Sequence, residues 1–106
     1  MATFQIKRND TAPPVTATLT ASDVAVDLTG ASVRFHMVDS SGAVKVDAAA
    51  NVDDGAAGEV SYDWTAADTD TSGHFKAEWE VTFSDGTIRT FPTPGYTHVK
   101  ISGDLN

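Results

Sequence analysis

The sequence predicts an all-β sandwich, and three observations carry that expectation. The first is unbroken alternation from Phe75 to Phe83, where Phe75, Ala77, Trp79, Val81 and Phe83 share one face and Lys76, Glu78, Glu80 and Thr82 the other. A period of two marks a half-buried strand, because successive side chains leave a strand on opposite faces. The second is spacing. About seven to nine short alternating or apolar runs recur at roughly ten-residue intervals, with turn-forming residues between them. The third is the lack of a competing helical period, since the one helix-tolerant stretch is the short polar run Thr65–Ser72.

Taken in order, Phe4 and Ile6 point inward from a first strand over 3–7, and Pro13-Pro14 then forces a loop or an edge because neither residue can donate to a ladder. Val15, Ala17 and Leu19 alternate over 15–20, Ala21-Ser22-Asp23 reads as a turn, and Val24–Leu28 is a short apolar run closed by Thr29-Gly30. Val33, Phe35 and Met37 line one face of a strand over 32–38. Asp39–Gly42 is a loop rich in turn formers, and Val44-Lys45-Val46 fits a return strand. The stretch 47–57 carries the weakest signal: Ala48–Ala50 is too short to hold a helix, and Val52 fits another short strand. Val60, Tyr62 and Trp64 face inward from a strand starting at Glu59. A single helical turn near Ala66–Asp68 then crosses between sheets.

Ser84-Asp85-Gly86-Thr87 joins the strongest strand to the run 87–91. Asp-Gly favours a two-residue type I′ turn, which needs positive φ at both central residues. That loop predicts Phe83 opposite Ile88 on the buried face and Phe91 opposite Glu80 on the wet face, unless a bulge moves Phe91 inward. Pro92–Gly95 breaks the chain. A last strand over 96–102 places Thr97, Val99 and Ile101 on one face, and 103–106 is a loose tail.

The length of 106 residues predicts one domain over 1–106 with a core that needs no staples. Cysteine is absent, which removes disulfides, thiolate metal sites and thiol nucleophiles. With 15 acidic and 7 basic residues the net charge is -8. That balance opposes nucleic acid, whose phosphates need a basic stripe, and an anionic membrane surface. No apolar run is long enough for a membrane span. The N-terminus lacks the apolar core of a signal peptide, so synthesis in a cytoplasm is expected.

One comparison sharpens the sandwich. In immunoglobulin-type domains a turn precedes an inward tyrosine whose hydroxyl anchors the corner. Asp70–Phe75 stands at that place, but Phe75 has no hydroxyl and Ala77 stands where a disulfide cysteine would. The architecture expected is an immunoglobulin-like antiparallel sandwich held by Trp64, Trp79 and the phenylalanines.

Four segments together resemble a known family. They are Phe4–Pro14 (FQIKRNDTAPP), Val26–Phe35 (VDLTGASVRF), Gly58–Trp64 (GEVSYDW) and Gly73–Val81 (GHFKAEWEV), with Asp85-Gly86-Thr87 and Phe91-Pro92 after them. In that order they are similar to the immunoglobulin-like sandwich at the N-terminus of phage baseplate upper proteins and to small phage structural proteins. The resemblance implies a non-enzymatic virion component of the tail, baseplate or capsid periphery. It would work by multivalent contact with other phage structural proteins in a homo-oligomeric or symmetric assembly. Such baseplate proteins continue into further domains, whereas this sequence ends after the sandwich, which leaves tail, baseplate and capsid decoration open as positions.

No catalytic constellation stands out. His36, His74 and His98 fall on polar faces without the close spacing of metal ligands. Asp68–Gly73 has the opening of a calcium loop but no closing glutamate, and a capped turn accounts for it. Glu78 and Glu80 share one strand face that solvent explains, and no serine sits in a nucleophile elbow. No cofactor and no metal are expected. The candidate interface is Phe91, Pro92, Pro94 and Tyr96, a stiff apolar segment if both aromatics lie off the core. On the other reading, Phe91 is core after a bulge. The same aromatics would serve the alternative function, a carbohydrate or cell-surface recognition module.

Overall fold

The alternation that dominates the sequence becomes the central strand of the larger of two packed sheets. The computed structural model describes residues 3–92 and 97–103. Eleven strand segments are described: β1 (Thr3–Lys7), β2 (Val15–Thr18), β3 (Thr20–Ala21), β4 (Val24–Ala25), β5 (Ser32–Val38), β6 (Val44–Ala49), β7 (Asn51–Asp54), β8 (Glu59–Tyr62), β9 (Gly73–Thr82), β10 (Ile88–Phe91) and β11 (Thr97–Ser102). A 3-10 turn, Ala66–Thr69, links β8 to β9. The six-stranded sheet runs β1-β11-β9-β5-β6, with β10 also on β9; the second sheet runs β2-β8-β7, and β3 and β4 form a small ribbon.

β9 is the spine. One of its edges pairs with β5 from Ser32↔Thr82 to Val38↔Lys76. Its other edge is shared, with β10 against its second half and β11 against its first. The chain leaves the larger sheet after β6, and Ala50 donates its N–H to the Val33 carbonyl at 2.8 Å as it crosses. The weak stretch 47–57 is thus the crossover between sheets, with Ala48 and Ala49 inside β6 rather than in a helix. One pairing departs from the antiparallel expectation: β1 runs parallel to β11. These strands come from opposite ends of the chain, so no tight turn imposes the antiparallel sense.

The inner faces of both sheets meet in one cluster that contains the inward positions expected of 3–7, 15–20, 32–38, 59–64 and 75–81. Phe35 is its hub. Its ring stacks on Tyr62 at 4.8 Å between centroids, tilts against Trp79 at 4.8 Å and meets Trp64 edge-on at 5.6 Å. Phe4 extends the cluster by stacking on Trp64 at 5.7 Å. Aromatic pairs in these geometries add about 0.5–1.5 kcal/mol each beyond the area they bury. The indole N–H groups of Trp64 and Trp79 are buried without an acceptor, so shape rather than hydrogen bonding seats those rings.

The main hairpin is one residue out of the expected register. Ile88 pairs with Thr82 and Phe91 with Trp79. The Phe83 N–H donates to the Thr87 carbonyl at 2.8 Å and the Gly86 N–H to the Phe83 carbonyl at 2.9 Å, which closes a three-residue loop. Only Gly86 in that loop has positive φ, at 89°. A type I turn followed by a left-handed glycine is the three-residue alternative to type I′. Because strand faces alternate, the slip turns Ile88 outward, 63% exposed, and Phe91 inward, 1% exposed. The two-residue turn with positive φ at both positions occurs instead at Ser22 (51°) and Asp23 (65°), between β3 and β4.

Candidate functional site

The segment expected to form an apolar surface does not do so at its first residue. Phe91 belongs to the core, with the Arg89 guanidinium 5.0 Å from its ring centroid. Pro92 is half-buried, and Pro94 and Tyr96 lie outside the described residues. Between β10 and β11 the partner positions on β9 jump from Trp79 to Ala77 while the chain advances from Phe91 to Thr97. A cavity of about 180 Å³ is lined by Thr18, Leu19, Thr20, Trp79, Phe91 and Pro92, among others.

The acidic turn before β9 is used structurally. Asp68 Oδ2 accepts from the Thr65 N–H at 2.8 Å and from the Tyr62 hydroxyl at 2.6 Å. This bond ties the 3-10 turn to β8. It is a tyrosine anchor placed on a different strand from the one where Phe75 lacks a hydroxyl. Burial, and then the hydrogen bond to Asp68, push the Tyr62 phenol well above its ordinary range. Asp70 accepts from Lys45 Nζ at 2.5 Å and from the Thr71 hydroxyl at 2.9 Å, and its carboxyl is lowered, chiefly by the Lys45 bond. Thr69 is buried and fixes the loop after β1: its hydroxyl donates to the Asp10 carbonyl at 2.9 Å, and its own carbonyl accepts from the Asn9 N–H at 3.0 Å.

The three histidines lie on the outer face of the six-stranded sheet and do not converge. His36 sits between Asp47 and Glu78 in register, His74 opposite Lys100, and His98 opposite Lys76. Among the described residues no three of His, Asp and Glu are grouped to hold a metal ion. Glu80 lies across from Arg34, which also pairs with Asp47 at 2.9 Å. No helix among the described residues is long and apolar enough to cross a membrane.

The outer faces of the two sheets differ in charge. Every Lys and Arg lies on a strand of the six-stranded sheet or, for Arg8, directly after one. Residues 9–31 and 51–72, which build the second sheet, the ribbon and the 3-10 turn, contain no Lys or Arg and carry three and six acidic residues respectively. Within the larger sheet, three of the lysines and two of the histidines share one region, while Arg34, Lys45, Arg89 and His36 lie elsewhere. Lys7 on β1, Lys100 and His98 on β11, and His74 and Lys76 on β9 occupy neighbouring outward positions. The described residues of β1, β11 and 73–77 include no carboxylate side chain. The opposite sheet presents Asp53 and Glu59 around a shallow depression with Thr16 and Thr18. Net charge hides this division, but the long gaps between Arg8 and Arg34 and between Lys45 and Lys76 make it readable along the chain.

Comparison with known proteins follows from this architecture. The crystal structure of CopC from Methylosinus trichosporium OB3b matches with a TM-score of 0.59 at 18% identity, covering 100% of this chain and 89% of that one. At that identity the likeness shows the fold alone. A search of the curated proteins finds no match. The family model for the BppU N-terminal domain, the domain that opens phage baseplate upper proteins, matches residues 3–91, from the first described strand to the end of β10. The chain belongs to the BppU N-terminal domain family.

Proposed function

We propose that this chain is a non-enzymatic structural component of a phage virion, attached at the tail or baseplate and acting by protein–protein contact in a symmetric assembly. The family match over residues 3–91 carries this reading. The site chemistry supports it. Asp68, Asp70 and Asp47 are engaged by Tyr62, Lys45, Arg34 and backbone groups in ways that hold elements together. The polar outer faces of both sheets offer broad contact surfaces on a rigid aromatic core. The carbohydrate-recognition alternative is weakened, because Phe91 packs inside the sandwich. Gold labelling of purified virions with an antibody to this chain tests the placement. Label at the tail end supports it, and label spread over the head would move the chain to capsid decoration.

A further inference from the structure

Among the described residues, β2 is an outer strand of the three-stranded sheet. Its ladder with β8 runs Val15↔Tyr62, Thr16↔Ser61, Ala17↔Val60 and Thr18↔Glu59, and the Leu19 N–H continues it by donating to the Gly58 carbonyl at 2.8 Å. Facing residues of an antiparallel ladder alternate between pairs that exchange both backbone bonds and pairs that exchange none. Val15 and Ala17 therefore bond to β8, and Thr16 and Thr18 turn their N–H and C=O groups to the open edge. We infer that this edge takes an extended segment of a partner protein as an added strand, with lysine or arginine on its outer face and apolar side chains on its inner one. The inference gives the proposed contact role a partner chemistry and rests on that reading.

Natural sheet edges are blunted by charges, prolines or bulges. β7, at the far side of the same sheet, carries Asp53 and Asp54 and a register shift, and β6, at one edge of the larger sheet, has a register shift beside Lys45. β2 reads Val-Thr-Ala-Thr and pairs with β8 without a shift. The chemistry of the occupant follows from the surroundings. On the outer face Thr16 and Thr18 are exposed, and Asp53 and Glu59 line the same shallow depression. Residues 9–31 and 51–72 contribute no Lys or Arg to that side of the sandwich. Long cationic side chains on an added strand reach these carboxylates across the short threonines. On the inner side, the cavity of about 180 Å³ is bordered by Ala17 and Leu19 together with Trp79 and Phe91. Alternate residues of the added strand point that way and meet apolar groups. Backbone bonds hold such a strand, and its alternating side chains select it.

The probe is the end-capped peptide Lys-Val-Lys-Val-Lys-Val, with Glu-Val-Glu-Val-Glu-Val as its counterpart. Added to the full chain at low salt, the lysine peptide slows hydrogen exchange at the Thr16 and Thr18 amides, read residue by residue by NMR. The Val15 and Ala17 amides, already bonded to β8, change little. The glutamate peptide binds about 10-fold more weakly, because like charges then face each other. Added salt weakens the lysine peptide, since exposed charges are screened beyond about 8–10 Å near physiological ionic strength. Thr16→Pro removes one edge donor and none of the bonds to β8, a position where edge strands accept proline. With its fold checked by thermal melting, this variant binds the lysine peptide about 10-fold more weakly. Unchanged exchange at Thr16 and Thr18 in the presence of the lysine peptide overturns the inference, and that result does not depend on any variant. Equal binding of the two peptides, or undiminished binding by folded Thr16→Pro, overturns it as well. Protection of both amides that grows with chain concentration without peptide assigns the edge to a second copy and overturns the basic occupant. Each of these results leaves the placement in the virion standing, since that is read from the particle and not from the free chain.

Discussion

Gly58 lies where the backbones of three segments converge. Its φ is +70°, and a Cβ there would stand 2.7 Å from the Leu19 carbonyl oxygen and 2.9 Å from that of Val26. Its own carbonyl accepts from the Leu19 N–H at 2.8 Å, which ties the β2–β3 bend to the start of β8. Gly58→Ala therefore combines left-handed strain of about 1–2 kcal/mol with overpacking of about 1–3 kcal/mol. Gly42 makes the control: its φ is +91°, but nothing lies within 4 Å of its Cβ position. Thermal or denaturant melts should show Gly58→Ala losing clearly more stability than Gly42→Ala. Equal losses would mean that strain alone matters at Gly58. The inward aromatics were legible at this scale, because alternation assigns a face to each residue of a strand. Gly58 was legible only as punctuation, since the carbonyls that crowd it come from positions far away in the chain.

At the scale of elements, short aspartate-headed turns close several connections. Asp27 Oδ1 accepts from the Thr29 N–H and hydroxyl, Asp39 Oδ1 from Ser41 and the Ala43 N–H, and Asp85 Oδ1 from the Thr87 N–H and hydroxyl. These bonds favour the ionised form, and the hydroxyl of Thr29, Ser41 or Thr87 is the largest cause in each case. All three carboxyls sit below their ordinary value of 3.8. A carboxyl lowered by folding contributes stability above its unfolded pKa and loses it as pH falls through the folded pKa. The melting-temperature difference between the chain and an Asp39→Asn, Asp85→Asn variant should therefore be present at about pH 6 and shrink below about pH 4. A difference that stays constant to about pH 2.5 would contradict this account.

The same turns explain where sequence reading stopped. Strand existence is local and was visible for nearly every element, including the helical turn after Trp64. Register is set by the turn. Asp85-Gly86 fits both a two-residue type I′ loop and a three-residue loop ending in left-handed glycine. The two differ by one residue, which is enough to exchange Ile88 and Phe91 between solvent and core. Asp-Gly was read as the first, and the surface assigned to Phe91 followed from it. The parallel pairing of β1 with β11 had no local signal at all.

At the scale of the molecule, the family places the chain among phage baseplate structural domains, and the surface supports the proposed role by contact. The sandwich holds itself together with aromatic packing around Phe35 and leaves both outer faces polar and oppositely biased. That bias was present in the order of Lys and Arg along the chain, but it acquires meaning only when the topology places 9–31 and 51–72 on one side. The most direct test is to count this chain per purified virion by quantitative mass spectrometry. The account predicts a small fixed number, far below that of the major capsid protein and consistent with a tail or baseplate part. Absence from the particle would contradict it.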